Sequence, residues 1–315
     1  MAVDGFAGLN VPVGHALLWI GWRVEVLEWE INSGDDIRKP EVQEKFNSFA
    51  RDADATILAI PCESLTRIRE KPIPGHSNPP VPLRDAKHVR GLPDLKVSDQ
   101  KKVASGNATT DWALQYAEEA DGAGNDVLLE NPRRSWVRQF NKCQKLVSKS
   151  HWVETEYPAC AYFAARCKAQ WVAGNFPEVK FIGQPKCSLL HDEGEWDPYF
   201  CKQSRRWVYP SKEEAEYTPA LAFTIAVALT MSAARKGRMK LSIPRLPVAE
   251  SSGSRCGWSS YDPRALRQWL MPVQARAIGL SPLEDGGVSI LAVPGVREYC
   301  WLIGCWGVPY PNGLS

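Results

Sequence analysis

The sequence has 315 residues, with 38 Lys+Arg against 36 Asp+Glu, a formal net charge of +2, 44% apolar residues and 23% charged ones. Those proportions exclude a mainly disordered tail, a collagen-like fibre and a small disulfide-stapled module. They also exclude a protein that coats nucleic acid by bulk charge alone, while the length allows one large domain or two modest ones.

Met1 to Gly8 lack the basic start and long apolar stretch of a secretory signal. Nine scattered cysteines without a tight CxxC pair fit a reducing compartment, so an intracellular location is expected, nuclear if the source is eukaryotic. Gly8 to Pro12 reads as a turn and His15 to Trp22 as a short apolar helix. Arg23 to Glu28 alternates like a strand, and Pro40 to Arg51 carries Val42, Phe46 and Phe49 at helical spacing. Thr56 to Ile60 is continuously apolar, as in a buried parallel strand. Lys71 to Pro93, rich in Pro, Gly and basic residues, predicts a long loop, and such loops are commonly functional. Thr109 to Ala120 predicts an amphipathic helix closed by Gly122 and Gly124, and Val127 to Leu129 another buried strand. This order indicates an α/β doubly wound sheet, whose ligands bind at the carboxyl ends of the strands.

Beyond that point Glu213 to Arg235 predicts a long helix, with strands around Val288–Val293 and Tyr299–Ile303 in an otherwise irregular C-terminal region. The most apolar run, Pro219 to Ala234, falls short of the roughly 18–20 residues needed to cross a bilayer, so no membrane segment is expected. We divide the chain at 1–150 and 151–315. Charge is unevenly spread. The first 60 residues hold 5 Lys/Arg and 10 Asp/Glu, Ser64 to Lys102 hold 9 against 4, and Asn131 to Ser150 hold 6 against none. Each basic stretch reads as a solvated face or as a phosphate-binding one.

Four local features fall at predicted strand ends. Asp4 to Asn10 is a glycine-bearing turn ahead of a helix, where a ligand can approach backbone. Glu28-Trp29 offers a carboxylate for two ribose hydroxyls and a ring to stack on a base. Pro61-Cys62 puts a thiol after the third buried strand, and Glu130-Asn131-Pro132 puts a carboxylate after the fourth. A thiol nucleophile beside an acid is what covalent chemistry on a heterocycle needs.

Together these features resemble the cytosine-5 DNA methyltransferase family. Phe6-Ala7-Gly8-Leu9 is similar to its FxGxG motif, with Asn10 in place of the second glycine. Glu28-Trp29 is similar to its acidic-aromatic pair, Gly34-Asp35-Asp36-Ile37 to its GDI-type segment, Pro61-Cys62 to its PC motif and Glu130-Asn131-Pro132 to its ENV motif. The resemblance covers about residues 3–135, and past it Arg166 is the one stand-in for a QxRxR segment. It implies a Rossmann-like S-adenosylmethionine-dependent sheet over 1–150. The cofactor would be held by Phe6, Gly8, Leu9, Glu28, Trp29, Asp36, Ile37 and Pro61. It also implies that Cys62 attacks C6 of a cytosine flipped from its stack while Glu130 protonates N3, with Arg166 as a third catalytic residue.

DNA is the implied partner, met by Arg67, Arg69, Lys71, Arg84, Lys87, Arg90, Arg133 and Arg134. An RNA cytosine, or a binding module on a fold that no longer turns over, are the other readings, and a monomer is expected. Residues 151–315 leave room for target recognition. Cys160, Cys167, Cys187, His191 and Cys201 lack the compact pairs of a zinc site, so they are read as buried or incidental thiols and no metal is assigned.

Overall fold

The computed structural model describes residues 1–29, 31–71, 73, 81–187, 191, 196–203, 206–212, 216–238, 280–282 and 288–290, of which 206, 207, 212, 280–282 and 288–290 are described by backbone alone. Four parallel strands form the body of the sheet. β1 (Ala2–Gly5) lies between β2 (Val24–Leu27) and β3 (Ala55–Ala59), and β4 (Asp126–Pro132) pairs with β3. An antiparallel hairpin, β5 (Val153–Pro158) and β6 (Ala169–Gly174), completes it in the order β2-β1-β3-β4-β6-β5. Strands β1, β3 and β4 are buried almost throughout, which is why Thr56–Ile60 and Val127–Leu129 read as apolar runs rather than alternating ones.

Helices cover both faces. Val3, Leu27, Leu58, Val127 and Leu129 enter one core with α2 (Pro40–Asn47), α3 (Phe49–Asp52), α4 (Val97–Gly122) and α5 (Asn141–Val147). Asp4, one residue on from Val3, instead meets α1 (Pro12–Ile20) through Gly14. Pro12 supplies the fixed φ of that helix's first turn, and Gly21, at φ 106°, ends it by donating back to the carbonyls of Leu17 and Leu18. A short α6 (Val179–Ile182) packs on β5 and β6. Helix α7 (Pro219–Arg235) reaches the end of α1, where Trp22 Nε1 donates to Thr230 Oγ1 at 2.9 Å and the Trp19 and Phe223 rings lie 5.3 Å apart. The expected doubly wound, Rossmann-like α/β sheet is present.

Boundaries moved for identifiable reasons. The first helix starts at Pro12, and the Pro40–Arg51 helix breaks at Ser48 into α2 and α3. Helix α4 runs 26 residues rather than the twelve expected, because Ser105, Gly106 and Asn107, poor helix formers, stand inside it. The hairpin β5–β6 carries the sheet past Ser150. Met1–Ala233 forms one compact unit and Ala234–Ser315 another.

Outside the sheet, β7 (Tyr199–Cys201) and β8 (Arg206–Val208) form a small antiparallel pair. In the second unit, β9 (Leu280–Pro282) pairs antiparallel with β10 (Val288–Ile290), which falls on the strand expected at Val288–Val293. The strand expected at Tyr299–Ile303 lies outside the described residues, as do Glu213–Ala215 ahead of α7. The described part of Lys71–Pro93 holds neither helix nor strand, as expected. Among the described residues, no helix is long and apolar enough to cross a membrane.

Candidate active site

The parallel register brings the four motifs to one edge. Gly5 is level with Leu27 and Leu58, and Ala59 is level with Glu130, so the segments after β1, β2, β3 and β4 emerge side by side. Neighbouring strands leave β1 in opposite directions here, the switch point at which open α/β sheets bind ligands.

After β1 the backbone turns through three left-handed residues, Phe6 (φ 63°), Gly8 (φ 74°) and Val11 (φ 44°). Such values are unfavourable for Phe and more so for β-branched Val, and strain of this kind collects at ligand-binding turns. The turn is held from two sides: Gly8 N–H donates to Glu28 Oε2 at 2.8 Å, and Gly14 N–H donates to Asp4 Oδ2 at 2.7 Å. Burial pushes the Asp4 carboxyl up to about 7 against the opposing Gly14 N–H bond, with the Glu28 charge adding to the rise. Trp29, next to Glu28 just after β2, is 60% exposed, and Leu9 is also exposed.

Asp36 and Ile37 sit differently from expectation. Asp36 takes both Nε and Nη2 of Arg38, at 2.7 and 2.6 Å, and Arg38 N–H as well, which holds its carboxyl below the usual range. A ligand amino group would have to compete with that guanidinium. Ile37 is buried in the main core, so its side chain packs the fold. Pro61 is exposed at the edge.

Cys62 and Glu130 share one environment. Asn131 is fully buried and its Nδ2 donates to Ile60 O at 2.7 Å and to Glu130 O at 2.9 Å, which ties the Pro61–Cys62 segment to the end of β4. Leu65 and Thr66 N–H donate to Cys62 O, closing the turn behind the thiol. Burial raises the half-buried Cys62 thiol above its ordinary value; Lys168 opposes the rise and Glu130 adds to it. Burial likewise raises Glu130, with Lys168 and the Tyr217 hydroxyl opposing. Tyr217 OH donates to Glu130 Oε2 at 2.8 Å, while Glu130 Oε1 is buried with no hydrogen-bond partner. Tyr157 OH, Gln170 Oε1 and Asn131 Oδ1 are also buried and unpartnered. Tyr157 stands opposite Gln170 in the hairpin, and Gln170 opposite Pro132, so these atoms lie around the end of β4. A carboxyl whose burial favours the protonated form, with one oxygen anchored and the other unpartnered, is equipped to exchange a proton with a bound heterocycle.

The fold brings the expected Cys62 and Glu130 to adjacent strand ends, and around them it sets Asp4, Tyr217 and Lys168, to which no motif pointed. Arg166 lies in the same turn as Lys168, whose N–H donates to the Arg166 carbonyl at 2.9 Å, yet Lys168 is the cation acting on both Cys62 and Glu130. A Lys at that position carried no motif, and Tyr217 is 87 residues from Glu130 along the chain.

The basic stretches meet in an open cleft of about 900 Å³, lined by Arg67, Arg84, Arg133, Arg134, Trp136 and Arg138 among others. Arg84 is not available to a phosphate. It is 1% exposed, and its guanidinium donates to Ser64 O, Ser64 Oγ, Val89 O, Val103 O and Asn107 Oδ1. Arg67 pairs with Glu70, Arg69 with Asp99, Lys71 with Asp197 and Arg90 with Asp111. Among the described residues, the Arg133 and Arg134 guanidinium groups make only long ion pairs, 3.7 Å to Glu156 and 4.0 Å to Glu70, and both residues are exposed, as is Lys87. Contrary to the reading of incidental thiols, Cys160, Cys167, Cys187 and His191 converge, while Cys201 stands outside the group.

No family model matches the sequence, and no curated protein matches it. Among solved structures the chain is similar to an S. pombe Dnmt2 methyltransferase at 11% identity and a TM-score of 0.32, over 61% of this chain and 56% of that one. The chain thus spans little more than half the length of that structure.

Proposed function

We propose that this chain is an S-adenosylmethionine-dependent methyltransferase that modifies C5 of a cytosine in DNA through a covalent Cys62 adduct. One observation carries the reading: Cys62 and a buried Glu130 with a single unpartnered oxygen stand at the carboxyl edge of adjacent parallel strands, where the Glu130 charge reaches the thiol.

The residues divide the work as follows. Cys62 Sγ, once deprotonated, adds to C6 of a cytosine taken out of its stack. Glu130 delivers its proton to N3, which keeps the ring neutral as the C6–S bond forms and leaves C5 electron-rich. The bound cofactor supplies an electrophilic methyl group on sulfonium. Loss of the C5 proton to water then restores the C5–C6 double bond as the C6–S bond breaks, Cys62 leaves as thiolate and N3 returns its proton to Glu130. Lys168 favours the thiolate, and Tyr217 anchors Glu130 Oε2 so that Oε1 faces the ring. Gly8, Glu28 and the exposed Trp29 fit an adenosyl group: backbone at a tight turn, a carboxylate for ribose hydroxyls and a stacking surface. Asp36, engaged by Arg38, fits it less well.

Transfer of labelled methyl from the cofactor to a panel of duplex DNA, single strands and tRNA tests the reading. Label on duplex DNA, and a covalent adduct on 5-fluorocytosine DNA that Cys62→Ser abolishes, are the expected results. Label on tRNA alone would move the substrate to RNA. Burial raising the thiol favours a second reading, a nucleic-acid-binding module without turnover. Cofactor binding with no adduct on any substrate would establish that one instead.

A further inference from the structure

The Cys160 Sγ, Cys167 Sγ, Cys187 Sγ and a ring nitrogen of His191 all lie within 4.8 Å of one another. A tetrahedral zinc with bonds of roughly 2.3 Å to sulfur and 2.0–2.1 Å to nitrogen has ligand–ligand edges of roughly 3.5–3.8 Å. The cluster is therefore close to the size of a zinc shell as it stands. Cys187 Sγ and His191 Nε2, at 2.9 Å, would part slightly to reach such an edge.

Three elements build the cluster. Cys160 lies in the turn of 3-10 helix, Ala159–Tyr162, directly after β5. Phe163, at φ 68°, then reverses the chain, with its N–H on Cys160 O and Ala159 N–H on Lys168 O, which returns Cys167 to face Cys160. Cys187 and His191 follow α6, three residues apart in the intervening sequence. The tight turn replaces the CxxC pair that sequence spacing alone would require.

We propose that Cys160, Cys167, Cys187 and His191 bind one structural zinc ion that staples the β5–β6 turn to the segment after α6. Three thiolates and an imidazole are the donors zinc takes in closed four-coordinate sites, and with all four positions filled by protein no site remains for a substrate. A disulfide would account for only two of the three cysteines and leave the histidine without a reason to converge. None of the three is joined in a disulfide. The residue after Cys167 is Lys168, so the ion also fixes the turn that presents Lys168 to Cys62 and Glu130.

The test measures metal, not methyl transfer, so it succeeds or fails separately from the proposed activity. Full-length protein from zinc-supplemented culture should carry one zinc per chain by elemental analysis. Cys201→Ser should keep it, and Cys187→Ser and His191→Ala should lose most of it. Because those variants could misfold, the unaltered protein is also exchanged with cobalt. Intense visible bands of tetrahedral cobalt with thiolate-to-metal charge transfer are expected, weakened by about a third in Cys167→Ser, one thiolate of three. Folded, reduced protein that carries no zinc and gives no such cobalt spectrum overturns the proposal, as does undiminished zinc in both Cys187→Ser and His191→Ala.

Discussion

Asp4 holds the first turn of α1 through Gly14 N–H and is buried close enough to Glu28 to feel its charge. Its carboxyl titrates near 7 when folded and near 3.8 when unfolded. Between those values the folded state binds the extra proton, so this residue's contribution makes stability fall as pH rises from about 4 to about 7. The full shift corresponds to roughly 4 kcal/mol as an upper figure. Asp4→Asn keeps an oxygen for Gly14 and removes the ionisation. Its stability relative to the parent should therefore improve steadily from pH 4 to pH 8 in urea titrations; an unchanged difference across that range would show that Asp4 is not the group responsible. Glu130 supports a second prediction. Tyr217→Phe removes the hydroxyl that opposes its rise, so Glu130 should keep its proton to higher pH. Under the proposed mechanism methyl transfer should drop roughly 10–100-fold, as for loss of one buried hydrogen bond to the acid, with cofactor affinity unchanged. The alkaline limb of the rate profile should move upward, which a merely packing role would not produce. At this scale Cys62, Glu130 and Glu28 are legible as candidates, because each stands at a strand end inside a short motif. Tyr217 and Lys168 were invisible because only the closing hairpin and the approach to α7 bring them to the same place.

Helix α4 shows how one element conceals its length. Its middle carries Gly106, and a Cβ there would fall on Ser64 Oγ, at 2.1 Å, with Arg84 Nη2 at 3.4 Å. The glycine that weakens the helix locally is what lets Ser64 and Arg84 pack against it. Arg84 in turn ties together the segment after Cys62, the long loop at Val89 and α4 at Asn107 and Val103. Burial lowers it to about 10, still charged at neutral pH. Arg84→Lys cannot span those acceptors with one ammonium, so a loss of about 2–4 kcal/mol is expected in thermal or urea unfolding. A stability within error of the parent would return Arg84 to the role of a phosphate contact. Strands β5 and β6 were missed for a different reason. Val153 to Tyr157 alternates at period two, with Glu154 and Glu156 exposed toward Arg138, but the signal is short and polar. The buried parallel strands were legible because their apolar runs leave little alternative.

Across the whole molecule, the charge map changes most on folding. Counted along the sequence, Asn131 to Ser150 has six basic residues and no acid, yet Glu154 and Glu156 of β5 neutralise much of Arg138, and Asp121 takes Lys149. Burial pulls Asp121 up, but hydrogen bonds from Lys149, Asn175 and His151 outweigh it and hold it down to about 2, so that acid is charged at every working pH. Local counts therefore overstate the positive field, because acids distant in sequence fold onto the basic stretches. What remains exposed and weakly paired in the cleft is Arg133 and Arg134, the latter 67% exposed. If the cleft binds a phosphate backbone, each contact releases about 0.9 of a counterion on duplex DNA. Replacing both arginines by Gln should therefore weaken duplex binding and flatten the plot of log affinity against log salt by up to about 1.8. Arg90→Gln, which breaks a bidentate pair with Asp111, should change that slope little, and Arg84→Lys not at all. Equal slopes for all four proteins would mean that the cleft is not where the backbone lies, and that the net +2 of the sequence is spread over a surface with no preferred phosphate path.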